Sequence, residues 1–119
     1  MAFSVSAVER FFKVLGDASR LQILQALDQG ERSVSEILEG TGLPQTLASF
    51  HLRVLREAGV LMTERRGPFI YYRLADPSLP NLLEACAKYA ESLSETRVAP
   101  DFRWPPWGTM CRMMSKRKR

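Results

Sequence analysis

The chain has 119 residues, which is enough for one domain with a modest hydrophobic core. Its composition, 25% charged and 45% hydrophobic, is typical of a globular protein. No apolar run approaches the roughly 20 residues of a membrane span, and the first residues lack the basic start and long apolar core of a signal peptide, so a cytoplasmic location is expected. A net charge of +4 and a pI of about 9.4 favour a polyanionic partner.

Two helices are predicted in the first part of the chain. Ser4 or Ser6 is suited to cap the first helix, which is apolar on more than one face. Asp17 is a good N-cap for a second helix over Ala18–Leu27, and Gly30 follows as a stop signal. Both helices therefore begin at residues whose side chains can accept hydrogen bonds from free backbone N–H groups.

A third helix is predicted from about residue 33 to residue 39. Ser33 followed by Glu36 has the spacing of a capping box, in which each residue satisfies a backbone N–H of the other. The segment Gly40-Thr-Gly42 is expected to end this helix in a tight turn.

A fourth helix is predicted at about 44–58, with Pro44 in its first turn and Gly59 as its stop. One face is apolar or buried in character and comprises Ala48, His51, Leu52 and Leu55. Most of the opposite face carries side chains that can reach base edges or phosphates in a major groove: Gln45, Thr46, Ser49, Arg53 and Arg56. Taken alone, such a helix is more typical of an ordinary solvated surface than of a DNA-binding element.

Two strand-like runs, Val60–Glu64 and Phe69–Leu74, follow the fourth helix. The segment Arg65-Arg66-Gly67-Pro68 joins them, which places Arg65 and Arg66 at the tip of a hairpin, in reach of DNA backbone or minor groove. The order helix, turn, helix, basic hairpin is that of a winged helix-turn-helix, a mostly α fold with a small β-hairpin wing that reads duplex DNA. No acidic residue lies between Gly40 and Arg56, which strengthens this interpretation.

A fifth helix is predicted at roughly Leu79–Ser94, with an apolar stripe that is wide for the last helix of a small domain. Together with the first helix it suggests a homodimer built from the terminal helices. A two-fold dimer would pair two DNA-reading helices on a palindromic site. The alternative is that these apolar faces cover the core of a monomer.

The character of the chain changes near residue 96, so a domain over residues 1–95 and a tail over residues 96–119 are predicted. The tail is rich in proline and aromatic residues, and it ends in the basic run Lys116–Arg119. Because Trp104 and Trp107 are too apolar to be left in water without a reason, the tail is expected either to fold back on the dimer or to order when it binds a partner.

Three segments together resemble the ArsR/SmtB family of metal- and metalloid-sensing repressors. They are Leu15-Gly-Asp-Ala-Ser-Arg-Leu-Gln-Ile-Leu24, the run Ser49–Gly59, and Tyr71-Tyr-Arg-Leu74, and the resemblance covers about residues 5–95. It implies a dimeric winged-helix repressor that releases operator DNA when an inducer binds. Phe50 stands where many members carry a basic residue, and it is counted among the candidate DNA contacts.

The inducer sites known in the family are not reproduced here. The arsenic-type site has Cys-Val-Cys on the third helix, whereas this chain has Ser33-Val-Ser35. The zinc-type site uses Asp and His on the last helix; Asp76 is present, but the single histidine, His51, lies in the recognition helix. His51 is expected to be a packed, hydrogen-bonded residue, and a tetrahedral zinc site is poorly supported.

The two cysteines, Cys86 and Cys111, are therefore the candidate inducer ligands. Two thiolates suit a soft, low-coordinate species such as a trivalent arsenical, including a methylated one, and no obligatory cofactor is expected. Disulfide or polysulfide sensing needs the same two thiols. A third possibility is a regulator without an inducer, in which Cys86 is a small buried hydrophobic residue and Cys111 an incidental thiol of the tail.

Enzymatic activity is not expected. No Ser/His/Asp or Cys/His arrangement is plausible with the only histidine in the recognition helix, and no phosphate-binding loop is present. The remaining alternative is a winged-helix module for protein–protein contact, in which Trp104-Pro-Pro-Trp107 serves as the docking element.

Overall fold

The computed structural model describes the backbone of residues 2–96 and the side chains of residues 2–93. This part of the chain contains five helices and three short strands: α1 (Val5–Leu15), α2 (Ala18–Ala26), β1 (Arg32–Ser33), α3 (Val34–Thr41), α4 (Gln45–Glu57), β2 (Leu61–Arg66), β3 (Phe69–Leu74) and α5 (Leu79–Thr96). Nearly all of the predicted tail, including Cys111 and both tryptophans, lies outside the described residues. No helix within residues 2–96 is both long enough and apolar enough to cross a membrane.

The chain divides into two compact units, Met1–Leu83 and Glu84–Arg119. The first unit contains α1 to α4, the sheet and the first turn of α5. The described part of the second unit is the remainder of α5, where Lys88 and Glu84 form an ion pair of 3.3 Å one turn apart on the helix surface.

The first two helices begin at the predicted caps. The hydroxyl of Ser4 accepts a hydrogen bond from the backbone N–H of Ala7 at 3.2 Å. The carboxylate of Asp17 accepts from the N–H groups of Ser19 and Arg20, at 2.9 and 3.3 Å. These bonds satisfy donors that the first helical turn leaves free, which explains why α1 and α2 start where they do.

The predicted capping box at the start of α3 is confirmed. The Ser33 hydroxyl accepts from the N–H of Glu36 at 3.3 Å, and the Glu36 carboxylate accepts from the N–H of Ser33 at 2.8 Å. The bonds from Ser33, first from its backbone N–H, lower the pKa of Glu36. This contribution to stability is present above the ordinary pKa of the carboxyl group and is lost as pH falls through the lowered value.

The end of α3 differs from the prediction. Gly40 does not stop the helix, which continues to Thr41 and ends at Gly42, where φ is 73°. Glycine inside a helix lowers its stability but does not terminate it, whereas a left-handed residue after the last turn does. The Thr41 hydroxyl donates to the carbonyl of Ile37 at 2.8 Å and accepts from the N–H of Leu43, which strengthens the turn between α3 and α4.

The core lies between α2, α3, α4 and the base of the sheet. Its largest fully buried side chains are those of Ile23, Leu24, Leu27, Ile37, Leu52 and Leu55. Leu61 and Leu74, at one end of the hairpin, and Leu79, at the start of α5, join the same cluster. Full burial of each such aliphatic side chain contributes about 1.5–3 kcal/mol relative to exposure.

The sheet has three antiparallel strands in the order β1-β3-β2, one more than was predicted. The additional strand is only Arg32–Ser33, which pairs with Tyr72 and Tyr71 of β3. The hairpin also has a shorter turn than expected, because Arg65 and Arg66 pair with Ile70 and Phe69 and belong to β2. A two-residue connection remains, with φ of 62° at Gly67, a conformation in which glycine has no steric penalty.

His51 is buried, with 5% of its surface exposed, and is hydrogen-bonded as predicted. Arg20 donates from Nε to His51 Nδ1 at 3.1 Å and from Nη1 to the carbonyls of Val14 and Lys13 at 3.0 and 3.4 Å. The opposite ring nitrogen, Nε2, lies 3.7 Å from the Asp17 carboxylate. One guanidinium therefore connects the end of α1, the start of α2 and the middle of α4.

Replacement of Ser33 by alanine is expected to lower the free energy of unfolding by about 1 kcal/mol, because α3 loses the side-chain half of its capping box. Chemical denaturation followed by circular dichroism measures this change. Ser35→Ala is the matched control, since Ser35 is exposed in the same helix and should alter stability by no more than about 0.5 kcal/mol. Equal losses in the two variants would contradict the role given to the cap.

Candidate nucleic-acid interface

The inner face of α4 fixes which of its side chains face water. Ala48, His51, Leu52 and Leu55 are buried, as the spacing predicted. The helix begins at Gln45, so Pro44 occupies the capping position with φ −60° and ψ 146° and does not lie within the first turn as predicted. Its ring accommodates this extended conformation, and its carbonyl still accepts the first helical bond, from Ala48 N–H at 2.9 Å.

The outer face of α4 carries every candidate DNA contact that the sequence placed on this helix. All six side chains are exposed: Gln45, Thr46, Ser49, Phe50, Arg53 and Arg56. Thr46, Phe50 and Arg53 follow one another at spacings of four and three residues, so they form one line along the helix. A tight turn joins α3 to α4, so the two helices form a helix-turn-helix. The line lies on the exposed surface of its second helix.

The cations on this face are available to an external partner. Within the described part of the chain, neither Arg53 nor Arg56 forms an ion pair. The only carboxylate in α4 is that of Glu57, its last residue. The exposed face is therefore polar at its start and mainly cationic in its second half, a distribution that suits contact with a polyanion.

The two hairpin arginines have different surroundings. The Arg65 side chain donates from Nε to the carbonyl of Gly67 at 3.3 Å and has no carboxylate partner among the described residues. Arg66 forms ion pairs with Glu31 at 2.6 Å and Glu64 at 3.1 Å, and its guanidinium lies 4.7 Å from the centre of the Tyr71 ring. Arg66 is thus anchored within the molecule, whereas Arg65 keeps an uncompensated charge at the hairpin tip.

The contacts of Arg66 also shift the pKa values of two side chains, its own and that of Glu64. The hydrogen bonds that Arg66 donates to Glu64 and Glu31 raise the pKa of Arg66, and the bond to Glu64 lowers the pKa of that carboxyl group. Sequence reasoning missed the participation of Glu31 and Tyr71. The alternation of side chains along paired strands places Tyr71 on the same side of the hairpin as Glu64 and Arg66, so the contact with Tyr71 could have been predicted from the sequence. The approach of Glu31 depends on the tertiary fold and could not.

The metal sites of the family do not fit the residues that occupy their positions. The Ser33 hydroxyl caps α3, and a hydroxyl does not replace a thiolate as a soft ligand. Asp76 accepts hydrogen bonds from the N–H and hydroxyl of Ser78, at 2.9 and 2.7 Å, and the backbone bond is the main reason that its pKa is lowered. The Nδ1 atom of His51 accepts a hydrogen bond from Arg20. Among the described residues, no group of three or more His, Cys, Asp or Glu side chains is placed to hold a metal ion.

The two candidate inducer ligands fall in different parts of the chain. Cys86 is a free, exposed thiol on α5. Cys111 lies outside the described residues, so the structure does not show whether the two thiols meet. Their assignment as inducer ligands stays a prediction.

Comparison with known proteins agrees with this architecture. Residues 17–62 match a family model described as bacterial regulatory protein, arsR family. The arsenic resistance transcriptional regulator ArsR1 of Pseudomonas putida is 37% identical over 91 residues, which cover 76% of this chain and 70% of that protein. The HTH-type transcriptional regulator Rv0324 of Mycobacterium tuberculosis is 39% identical over 93 residues, but the match covers 77% of this chain and only 41% of that longer relative.

A solved structure shows the same fold. It is the homodimeric winged helix-turn-helix DNA-binding domain of Mb0332 from Mycobacterium bovis, a possible ArsR-family regulator, with a TM-score of 0.66 and 35% identity. The alignment covers 80% of this chain and 88% of that one. The match to ArsR1 extends well beyond the helix-turn-helix and covers most of both proteins. The chain belongs to the ArsR/SmtB family of winged helix-turn-helix transcriptional regulators.

Proposed function

We propose that this regulator is a dimeric, sequence-specific DNA-binding repressor that a thiophilic inducer, a trivalent arsenical, releases from its operator. The observation that carries the DNA-binding part is the exposed outer face of α4, with its line of polar and cationic side chains next in the chain to an arginine-bearing hairpin. The protein acts by binding in the cytoplasm, and no catalytic step is part of this proposal.

On DNA, the two elements have different roles. The short polar side chains of α4 and the guanidinium groups of Arg53 and Arg56 reach base edges and phosphates in the major groove. The hairpin contacts the backbone or minor groove, with Arg65 as the arginine whose charge is not already compensated. The division follows from the geometry of winged helices, in which a helix reads bases and the wing supports it.

A second copy of the chain is the proposed partner for apolar side chains that one copy leaves exposed. On α1 these include Val5 and Phe12, at 72% and 56% exposure, and on α5 they include Leu82 and Tyr89, at 47% and 69%. Large apolar side chains left exposed on a helix are typical of association surfaces. The homodimeric state of the Mb0332 domain supports the same arrangement, and a two-fold axis would present two α4 helices to two half-sites.

The inducer part of the proposal depends on Cys86 and Cys111. The positions of the family's helix-three thiolates hold serines, and the Cys86 thiol is exposed on α5. Two thiolates match the preference of trivalent arsenic for sulfur and low coordination. The similarity to a regulator of arsenic resistance supports this choice of ligand over reactive sulfur, for which the same pair would form a disulfide or polysulfide.

Arg53→Ala and Ser49→Ala are each expected to weaken specific DNA binding by about 1–3 kcal/mol, because each removes a contact to a base edge. Electrophoretic shift assays on a duplex selected by the wild-type protein give the affinities. Lys13→Ala is the control for the loss of one positive charge, since Lys13 is exposed on α1 and pairs with Glu9 one turn away. If both α4 variants bound within threefold of wild type, another element would have to be the reader.

Arg65→Ala is expected to reduce the salt dependence of binding, with a change in log–log slope of about 0.9 for one lost phosphate contact. Arg66→Ala is the matched control, because it removes an equal charge from the next position, where two carboxylates already compensate it. The measurement is the affinity for one duplex over a series of salt concentrations. A larger slope change for Arg66→Ala than for Arg65→Ala would reverse the two roles.

Cys86→Ser and Cys111→Ser are each expected to bind DNA as wild type does but to remain bound when a trivalent arsenical is added. Release of a labelled duplex, followed by fluorescence anisotropy, measures the response. A coupling of a few kcal/mol between the two ligands is enough for release of the wild type. Normal release from either variant would eliminate the two-thiol site, and a wild type that also ignored mercury, cadmium and polysulfide would eliminate a thiophilic inducer altogether.

A further inference from the structure

Phe50 is the one aromatic side chain on α4 apart from His51, and it does not belong to the core. It is 47% exposed, whereas Ala48, two residues before it, and Leu52, two residues after it, are 0% and 1% exposed. Because successive helical residues are separated by about 100°, Phe50 points nearly opposite to the buried face. It therefore occupies the middle of the line that Thr46 and Arg53 complete.

The Phe50 ring packs against the ring of the next residue, His51. Its centre lies 5.2 Å from that of His51, with an angle of 66° between the two planes, an edge-to-face arrangement that is favourable for aromatic pairs. His51 is itself fixed by the hydrogen bond from Arg20. Phe50 is thus an apolar group supported by a buried neighbour and presented to the outside between polar and cationic side chains.

The chemistry of the major groove selects what such a group can contact. Adenine, guanine and cytosine present hydrogen-bond donors or acceptors there, whereas thymine adds an apolar C5-methyl group. Phenylalanine has no donor or acceptor, so against a polar edge it would displace water without replacing its hydrogen bonds. Against a methyl group it loses nothing and buries apolar surface.

We infer that Phe50 is a specificity-determining residue that selects thymine, through its 5-methyl group, at one base pair of each half-site. The inference rests on the proposed function and makes it more specific. The guanidinium of Arg53, one turn further along the same line, has no carboxylate partner among residues 2–93 and favours duplex DNA over an apolar protein surface as the partner of this ring.

The test removes the methyl group alone. Duplexes that the wild-type protein selects from a random library are resynthesised with each thymine of the half-site replaced in turn by deoxyuridine. At one position the wild-type affinity should fall about fourfold per half-site, the effect of one buried carbon group. Phe50→Ala should bind the thymine duplex more weakly and show no difference between thymine and deoxyuridine at that position.

Two further variants separate the contact from a general weakening. Leu47→Ala removes another exposed apolar side chain of α4, at the flank of the line, and should keep the wild-type sensitivity to deoxyuridine. Phe50→Leu should retain part of the sensitivity and Phe50→Gln none, which keeps the test decisive if the alanine variant does not fold.

The outcomes distinguish this inference from the function on which it rests. A wild-type protein that selects no duplex would overturn the proposed DNA binding itself. A wild-type protein that binds thymine and deoxyuridine equally at every position, or a Phe50→Gln variant with undiminished sensitivity, would leave DNA binding intact and overturn the role of Phe50.

Discussion

One polar contact joins two helices of the core, the hydrogen bond from Arg20 of α2 to the buried His51 of α4. A nearly buried imidazole requires a partner, since an unpaired polar group in the interior is costly. Arg20 supplies that partner and bonds the last carbonyls of α1 with the same guanidinium. His51 lies between Phe50, which faces outward, and Leu52, which faces the core, so this contact adds to the burial of Leu52 and Leu55 in setting the rotation of α4 about its own axis. That rotation decides which side chains of α4 pack in the core and which are exposed.

The hairpin is positioned by apolar contacts at its base and by ion pairs at its far end. Its base is apolar, where Leu61 and Leu74 enter the core, but its far end is held by charge, through the contacts of Arg66 with Glu31 and Glu64. These groups are partly exposed, so the ion pairs guide position more than they add stability. The arrangement leaves Arg65 as the charge offered to solvent. Arg66 thus holds the hairpin in place through contacts within the molecule, whereas the adjacent Arg65 leaves its charge exposed to solvent.

Much of this architecture is local in origin and was predictable from the sequence. Asp17 and Ser33 set the starts of α2 and α3 through bonds to residues two or three positions away, and the faces of α4 follow from helical spacing alone. The features that escaped prediction depend on distant parts of the chain. The strand Arg32–Ser33 is too short to leave a pattern and exists because β3 pairs with it. The partnership of Arg66 with Glu31 joins residues far apart in sequence, and Gly40 resembles a stop signal although Gly42 ends the helix.

Ser33 belongs both to the sheet and to the helix-turn-helix. It is at once the last residue of β1, paired with Tyr71 in the hairpin, and the N-cap of α3, which leads directly into the turn before α4. The sheet and the helix-turn-helix therefore share a residue that pairs with β3 on one side and caps α3 on the other. A rigid arrangement of this kind loses little conformational entropy when both elements engage one ligand, because their relative placement was already set on folding. Association with a duplex would then be governed by diffusion and electrostatic attraction and not by a search among orientations of the wing.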